Sequence, residues 1–278
     1  MTTPTYLVIG DLTRDLLPDG SSTMGGTALY AAATAAWLGV TAAIFTSGNP
    51  AEPPVLPTGI EVALVPCRQP STFENRYTPQ GRLQLLHARG AALQIADLPP
   101  AWREAPLVHL GPLTGEFGLD LAAAFPNALV AVTPQGWMRH WELPLPAPIQ
   151  RVPWQPDPAA LAHVDLLVLS IEDVGGDEAL VAQYAQHCHL VALTRGARGS
   201  TLYIAGTPHA IPAYPAEERD PTGAGDVFAA ALLIHLHQCG DPLVAAAFAS
   251  SVAAYAVEGR GITNLPTWEQ AMVRMHTP

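Results

Sequence analysis

A glycine-rich turn leading into an apolar segment is the stretch of the sequence best suited to chemistry. Asp220-Pro221-Thr222-Gly223-Ala224-Gly225-Asp226 is followed by residues 227–233, whose apolar composition predicts a buried helix. The first N–H groups of a helix have no helical acceptor, and the helix dipole is positive at that end. A phosphate or a developing oxyanion is therefore favoured there. The turn also lacks bulky side chains, so a ligand can approach its backbone closely.

The carboxylate of Asp226 lies beside this predicted anion site, where it would repel the anion. That cost is explained if Asp226 takes a proton from a hydroxyl group that attacks the phosphorus. A nucleophile, a base and an anion cradle would then meet within one helical turn. The alternative interpretation is a structural glycine-rich turn with an acidic residue in the first turn of the helix.

Composition sets the broad class of the protein. The 278 residues suit one α/β domain spanning 1–278, and 49% hydrophobic against 13% charged residues predicts a globular chain. A net charge of −11 disfavours nucleic-acid and anionic-membrane binding. The sequence contains no lysine, which excludes a P-loop lysine and a Schiff base. Arginine, backbone N–H groups and metal must therefore neutralise any bound phosphate.

Cysteine usage predicts a cytoplasmic location. Cys67, Cys188 and Cys239 are odd in number and widely spaced, which indicates free thiols in a reducing compartment. The sequence shows neither an uninterrupted apolar run of membrane-spanning length nor a basic signal-peptide start. His187 and His189 flank Cys188, but without a further ligand cluster they do not predict a zinc site.

Strands and helices alternate along most of the chain, which predicts a doubly wound, mostly parallel sheet. Residues 6–9 form the first strand, and Asp11 and Asp15 follow its carboxyl end, where open α/β sheets bind ligands. A capping role in a polar loop is the alternative for both aspartates. Thr27 is the predicted N-cap of an alanine-rich helix at 28–38. Further strands are predicted at 41–46, 60–65, 107–110, 128–132, 164–169, 190–193, 200–204 and 209–213, and further helices at 116–124, 177–187, 242–257 and 267–275.

Residues 71–88 interrupt the alternation. Two strand-like segments flank Pro79-Gln80-Gly81 with no helical pattern between them, which predicts a β-hairpin standing off the main sheet. The hairpin is either a lid over a ligand or an edge hairpin, and the lid is the favoured interpretation. A lid would let Asn75 and Arg76 point into the site. Trp137, at the end of another predicted strand, either lines a pocket or packs within its loop.

Three motifs in fixed order resemble the ribokinase-like, or PfkB-type, carbohydrate kinase family. They are Gly25-Gly26 opening an alanine-rich helix, Thr194-x-Gly196-x-x-Gly199 after a strand, and the segment from Asp220 to Phe228. The resemblance covers nearly the whole chain, and its Gly-Ala-Gly-Asp segment is the specific part. It implies a three-layer α/β/α fold with a central, mostly parallel sheet and a small β lid.

The resemblance also implies roles for individual residues. Asp226 would be the catalytic base, and Gly223, Ala224 and Gly225 the anion hole for the γ-phosphate. The substrate would be bound by Asp15, Asp11, Gly25, Gly26, Tyr30 and Arg76, and the nucleotide by Thr194, Gly196, Gly199 and Ser170.

Two positions depart from the family pattern. Tyr30 stands where the family often has an asparagine, and a tyrosine would make the sugar pocket smaller and flatter. Ser170-x-x-Asp173 matches the family's Asn-x-x-Glu motif, which orders Mg²⁺ through water and phosphate. Asp173 keeps the negative charge on a shorter side chain and is the predicted metal residue. The family also tends to bind a monovalent cation near the loop of Asp220.

The predicted function is an ATP-dependent kinase that transfers the γ-phosphate to a hydroxyl of a small sugar or polyol. A nucleoside kinase of the same fold is one alternative, and a catalytically silent sugar- or nucleotide-binding regulatory protein is another. Retention of Asp226 disfavours the silent protein, because binding alone has no use for a base facing phosphate. An oxidoreductase is disfavoured because Gly10 does not open a G-x-G-x-x-G turn. A homodimer is a further expectation.

Overall fold

Nine strands form the central sheet of the protein. The computed structural model describes residues 2–78 and 81–276. In spatial order the strands are β16 (Thr207–Ile211), β15 (Ser200–Ile204), β14 (Leu190–Thr194), β13 (Leu166–Ser170), β9 (Leu129–Val132), β8 (Leu107–Leu110), β1 (Tyr6–Ile9), β4 (Ala42–Gly48) and β5 (Ile60–Pro66). The seven strands from β14 to β5 run parallel, and β15 is antiparallel to both of its neighbours. The predicted doubly wound, mostly parallel sheet is confirmed.

Apolar layers cover both faces of this sheet. Successive residues of β1 alternate between them, because side chains of a strand point to opposite faces. Tyr6 and Val8 join one core and Leu7 and Ile9 the other. The first core packs against the helices α1 (Thr27–Trp37), α4 (Ala224–Cys239), α5 (Pro242–Val257) and α6 (Trp268–His276). The second lies under two short helices, α2 (Pro158–Leu161) and α3 (Glu178–Tyr184), and several 3₁₀ turns.

Helix α4 is the buried helix that the apolar segment predicts. Every residue from 227 to 236 is buried, so the helix has no solvent-facing stripe along most of its length. Gly223 and Gly240 cap its two ends with φ of 76° and 69°, a left-handed conformation that glycine adopts without steric cost.

A smaller five-stranded sheet stands apart from the central one. Its order is β11 (Ala147–Pro148), β7 (Gly81–Ala88), β6 (Thr72–Thr78), β2 (Thr13–Leu16) and β3 (Ser22–Gly25). The pair β6–β7 is the predicted hairpin, although its turn residues Pro79 and Gln80 lie outside the described residues. A short antiparallel pair, β10 (Arg139–His140) and β12 (Gln150–Arg151), completes the strands of the described ranges.

Some predicted elements differ from the structure. The helix predicted at 116–124 is only a 3₁₀ turn at Leu119–Ala124, because the Glu116 side chain bonds the backbone N–H groups of Leu113 and Thr114 and holds this segment as a loop. The helix predicted at 177–187 ends at Tyr184. Within residues 2–78 and 81–276, no helix is long and apolar enough to cross a membrane.

Candidate active site

The start of helix α4 forms an open backbone cradle. Its N-cap, Gly223, has no side chain to cap the helix, and the Ala224 N–H donates to the Pro221 carbonyl oxygen at 3.2 Å. The N–H groups of Gly225 and Asp226 fall in the first helical turn, where the helix itself supplies no acceptor. Gly225 is exposed, and a Cβ added there would meet no atom within 4 Å. The cradle therefore has both donors and space for an anion.

Asp226 stands in the first turn of this helix. Burial raises the pKa of its carboxyl to about 6; the nearby charge of Asp173 raises it too, whereas the Thr27 hydroxyl and the Arg139 guanidinium oppose the shift. A carboxylate with such a pKa accepts a proton near neutral pH more readily than an ordinary aspartate does. The prediction that Thr27 is the N-cap of α1 is wrong: Gly26 is the N-cap, and the Thr27 side chain bonds Asp226 instead.

Tyr30 packs directly on the cradle. A Cβ added to Gly223 would overlap the Tyr30 ring, so the ring lies against the backbone of the α4 N-cap. Burial raises the pKa of the Tyr30 phenol, and the charges of Asp220, Asp15 and Asp226 raise it further. Tyr30 therefore lies near three carboxylates to which the sequence assigned different roles: Asp15 in substrate binding, Asp226 as the base and Asp220 in the glycine-rich turn.

We expect Gly223→Ala to destabilise the protein and impair its activity. The new methyl group meets the Tyr30 ring, and φ of 76° is unfavourable for alanine by about 1–2 kcal/mol. The double variant Gly223→Ala/Tyr30→Ala should recover part of the lost unfolding free energy, measured by urea denaturation. Gly225→Ala is the matched control, because its Cβ meets open space. An equal loss in the single and double variants would show that Tyr30 does not restrict this position.

Asp15 is positioned by strand β2, not by a loop as its place in the sequence predicts. The Thr13 hydroxyl donates to Asp15 Oδ1 at 3.1 Å. A Cβ at Gly25 would overlap Asp15 Oδ2, and one at Gly26 would overlap the Asp11 carbonyl oxygen. Gly25 thus allows a close approach of the Asp15 side chain within the β2–β3 pair, and Gly26 a close approach of the Asp11 backbone to the start of α1.

Asp11 lies in a buried hydrogen-bond cluster. Its carboxylate accepts from the hydroxyls of Ser47 at 3.1 Å and Thr114 at 3.2 Å, and from Ser71. The same Ser71 hydroxyl receives the Gly90 N–H at 2.9 Å, so the segments immediately before and after the β6–β7 hairpin meet at Asp11. Burial, and next the charge of Glu116, raise the pKa of Asp11 to about 7.

Glu116 is the second buried acid of this cluster. Its carboxylate accepts the backbone N–H groups of Asp11 at 3.1 Å, Leu113 at 3.0 Å and Thr114 at 2.8 Å. With Asp11 and Glu116 0% and 2% exposed, both carboxyl groups are enclosed by the loops they bond. Hydrogen bonds from three hydroxyl groups thus hold the Asp11 carboxylate at the base of the small sheet.

The structure does not bring Arg76 into the site. Its guanidinium pairs with Glu74 on the same strand, with Nε 2.6 Å from Oε1, and its side chain is 56% exposed. Neighbouring residues of a strand face opposite sides, and Phe73 is the buried neighbour of Glu74. Arg76 shares the face of Glu74, opposite to Phe73, so the geometry lends no support to the predicted substrate role, which stays a prediction. Asn75 lies on the other face, where Gln84 Nε2 donates to its Oδ1 at 3.1 Å.

Arg139 is the cation near the candidate base, and the sequence interpretation missed it. Its guanidinium donates to Gln135 Oε1 at 2.7 Å and to the Leu113 carbonyl oxygen at 3.3 Å, and lies 5.5 Å from the centre of the Phe73 ring. The sequence did contain a signal for this role. It has no lysine, and Arg139 follows the carboxyl end of a predicted strand, where a cation could reach a bound phosphate. Gln135 Nε2 in turn reaches Asp173 Oδ1 at 3.5 Å.

The predicted nucleotide loop is a tight turn between β14 and β15. Thr194 ends β14, and Gly196 has φ of 57° at the start of a 3₁₀ turn. Gly199 has φ of 80°, and a Cβ there would overlap the Ile211 carbonyl oxygen. Next to Thr194, Arg195 is fixed by Glu178 at 3.0 Å. The geometry explains the glycines as backbone requirements of the turn.

Ser170 and Asp173 bond each other. The backbone N–H and hydroxyl of Ser170 donate to Asp173 Oδ2 at 2.8 and 2.7 Å, and the Asp173 N–H donates to the Ser170 hydroxyl at 3.1 Å. Asp173 Oδ2 is thus committed to the turn, and Oδ1 faces Gln135. Among the described residues, no three histidine, cysteine or acidic side chains group as a metal site.

The loop of Asp220 is tied to the end of helix α5. Burial opposes ionisation of Asp220, but hydrogen bonds from Thr222 and Gly261 lower its pKa overall. The Thr222 N–H lies 3.0 Å from Oδ1 and the Gly261 N–H 3.4 Å from Oδ2. The carboxylate therefore stays charged and orders the turn that leads into the α4 cradle.

Comparisons with known proteins agree with this architecture. Residues 148–269 match the pfkB family carbohydrate kinase pattern. A nucleoside kinase of Methanocaldococcus jannaschii is 29% identical over 199 residues, covering 67% of this chain and 60% of that enzyme. A pyrophosphate-dependent kinase of the ribokinase family, solved with a pyrophosphate analogue and myo-inositol, has a TM-score of 0.75 at 22% identity and covers 97% of this chain and 99% of its own. Arabidopsis thaliana ribokinase with ribose and ATP has a TM-score of 0.71 at 17% identity and covers 100% of both chains.

The fold is therefore the three-layer, ribokinase-like α/β fold. The pfkB family carbohydrate kinase pattern over residues 148–269 and the fold shared with ribokinase-family kinases both agree with the resemblance carried by the three motifs. The chain matches 60% of the length of the nucleoside kinase to which it is similar.

Proposed function

We propose that the protein is an ATP-dependent kinase, a single domain spanning 1–278, that phosphorylates a hydroxyl of a small sugar or polyol. One observation carries the proposal: Asp226, with a pKa raised to about 6 by burial, stands in the first turn of a helix whose start is open and uncapped. A structural turn explains the glycines but not a basic carboxylate beside an anion cradle. The same observation disfavours a silent binding protein.

In the proposed reaction, Asp226 takes the proton of the acceptor hydroxyl as its oxygen attacks the γ-phosphorus. The new P–O bond forms while the bond to the β-phosphate oxygen breaks, and ADP leaves with that electron pair. The backbone of residues 223–225 surrounds the transferring group, and the N–H groups of Gly225 and Asp226 stabilise its charge, because the Ala224 N–H already donates to Pro221. Arg139, held by Gln135, supplies the cationic side chain on the side of the base.

The donor site is proposed at the loop of Thr194, Gly196 and Gly199. Bound Mg²⁺ would neutralise phosphate charge, and Asp173, with one oxygen turned away from Ser170, would order it through water. A monovalent cation near Asp220 is part of the same proposal. Pyrophosphate is the second candidate donor, favoured by the similarity at a TM-score of 0.75 to a pyrophosphate-dependent kinase.

A donor–acceptor matrix tests this function. The purified protein is incubated with ATP or pyrophosphate, with Mg²⁺, and with ribose, fructose, myo-inositol or a nucleoside, and product formation is followed by mass spectrometry. The proposal expects one acceptor class to be phosphorylated well above the rest, with ATP the better donor. Phosphorylation of none of the acceptors by either donor would contradict it. A homodimer and a cytoplasmic location stay predictions.

We expect the β6–β7 hairpin to close over the acceptor. It belongs to a sheet outside the central one, and closure would exclude water that could otherwise accept the phosphoryl group. Hydrogen exchange of residues 72–78 and 81–88 should slow when acceptor and a non-hydrolysable ATP analogue are added. Exchange in the buried strand β1 serves as the internal control. Unchanged protection at saturation would leave the hairpin without a lid function.

We expect Asp15 and Tyr30 to set acceptor recognition. An ionised carboxylate accepts hydrogen bonds only, and losing a charge-assisted bond costs roughly 1.5–3 kcal/mol, so Asp15→Ala should raise KM at least tenfold. Tyr30→Asn should shift preference toward simple pentoses, because the Tyr30 ring fills space beside Gly223. The steady-state profile over the acceptor panel measures both. A profile indifferent to Tyr30→Asn would remove Tyr30 from the pocket.

A further inference from the structure

A groove of about 590 Å³ opens beside the candidate active site. We call it the aromatic groove; its lining includes Phe117, Trp137, Arg139, Trp141 and Trp154. Two of its walls are the loops that follow the parallel strands β8 and β9, and the third is the segment before α2. Its volume lies in the range of small-molecule sites.

The rings on one wall are held in place. Trp137 Nε1 donates to the Phe117 carbonyl oxygen at 2.8 Å. The rings of Trp137 and Trp154 stack with centroids 5.3 Å apart and planes at 23°. The Tyr184 hydroxyl donates to the Trp154 carbonyl oxygen at 2.7 Å and so fixes the backing layer. Such a pre-ordered wall loses little conformational freedom when a ligand binds.

The aromatic groove differs from a closed tryptophan core. Trp102, in the core beneath, is fully buried, whereas Trp137 and Trp141 keep part of their rings accessible. Trp154 is 7% exposed and only supports the wall. Partly exposed indole rings on a concave surface are typical of a site that binds a flat apolar group.

Arg139 belongs both to the lining of the aromatic groove and to the surroundings of Asp226. Its guanidinium lies against Phe73 of the small sheet, and Trp141 packs on the apolar cluster that contains Phe73. A molecule that places a hydroxyl at Asp226 can therefore extend a second part of itself past Arg139 into the groove.

We propose that the aromatic groove binds the planar heterocyclic base of a nucleoside whose sugar hydroxyl is the phosphoryl acceptor. The proposal rests on the proposed kinase function, and within the acceptor panel it favours the nucleoside over the free sugar or polyol. A heterocycle presents a π-face to indole rings, whereas ribose or myo-inositol has no such face and leaves the groove filled with water. Arg139 adds a planar cation at the junction of sugar and base.

The test compares kcat/KM for adenosine and cytidine with that for ribose and myo-inositol, with ATP as donor. We expect the wild type to prefer a nucleoside and Trp141→Ala to lower the nucleoside-to-ribose ratio at least about tenfold, since a stacked base is worth roughly 5- to 150-fold. Trp37→Ala is the matched control, an exposed tryptophan at the end of α1. Trp141→Leu keeps apolar bulk and should show the same loss if the indole face matters.

Either of two results would overturn the proposal: a wild type that prefers ribose or myo-inositol, or an equal loss for all acceptors in Trp141→Ala. Neither result would contradict the kinase function.

A binding measurement without donor tests the groove even when no acceptor is phosphorylated. Adenosine should quench tryptophan fluorescence in the wild type and in Trp37→Ala, but much less in Trp141→Leu, while ribose should not. Equal quenching in all three proteins would remove the groove assignment independently of turnover.

Discussion

Asp226→Asn is expected to lower kcat by about 10²- to 10⁴-fold while nucleotide binding stays nearly intact. Asparagine has a similar volume but cannot take the hydroxyl proton, and the α4 cradle is formed by backbone. In the wild type the base must be deprotonated. With burial raising the pKa of Asp226 to about 6, kcat/KM should fall as pH drops through that value and level off above it. The variant should lose this limb of the profile.

The measurement is steady-state kinetics between pH 5 and 8 with the best acceptor, together with calorimetric titration of an ATP analogue. Asp97→Asn, at an exposed aspartate of a distant 3₁₀ turn, is the control for loss of one negative charge. A variant retaining more than about a third of wild-type kcat would exclude Asp226 as the base. A variant that lost nucleotide binding as well would place Asp226 in ground-state binding instead.

Asp11→Asn is expected to stabilise the protein above neutral pH. Burial, with Glu116 as second cause, raises the folded-state pKa of Asp11 to about 7, above its unfolded value. The folded protein then binds the proton more tightly, so unfolding free energy is lost as pH rises from the unfolded pKa toward 7. A shift of this size corresponds to at most roughly 4 kcal/mol. Asparagine carries no charge, and the surrounding hydroxyls can reverse their donor roles.

Urea denaturation of wild type and variant from pH 5 to 8 measures the effect. The two curves should approach each other at low pH and separate as pH rises, with the variant the more stable. Glu116→Gln is the contrasting variant, because its carboxylate accepts three backbone N–H groups and an amide nitrogen cannot. Its unfolding free energy should be lower throughout. A constant difference between wild type and Asp11→Asn across the range would contradict a raised pKa of Asp11.

The parts of the fold that follow from local sequence were predictable. Apolar strands such as Tyr6–Ile9, and the fully apolar helix α4, have patterns that tertiary contacts do not reverse. Strands β2 and β3 were missed because their sequences are largely polar. They are strands because they pair with each other, and β2 also with β6, far away in sequence. For this reason Asp15 was expected in a loop but lies in strand β2.

In the candidate site, too, the residues that depend on local sequence were predictable and those that depend on tertiary contacts were not. The cradle and Asp226 were predictable, because turn, helix and carboxylate lie within seven consecutive residues. Arg139 and the Thr27 hydroxyl were not, because their position beside Asp226 depends on which strands are neighbours. The sequence places Arg76 in the hairpin but does not show that it lies on the same face of β6 as Glu74, with which it pairs.

Helices α1 and α4 both begin with a glycine N-cap that offers no side chain, and the first residues of both lie at Asp226. Each helix start carries about half a positive charge, which belongs to the backbone and does not titrate. The chain as a whole carries −11. The net charge of the chain disfavours the approach of an anionic donor, and salt screens this effect beyond ~10 Å, whereas the two helix starts favour a phosphate at contact distance. In the proposed kinase, the oriented peptide groups at the two helix starts would therefore act on the donor at short range.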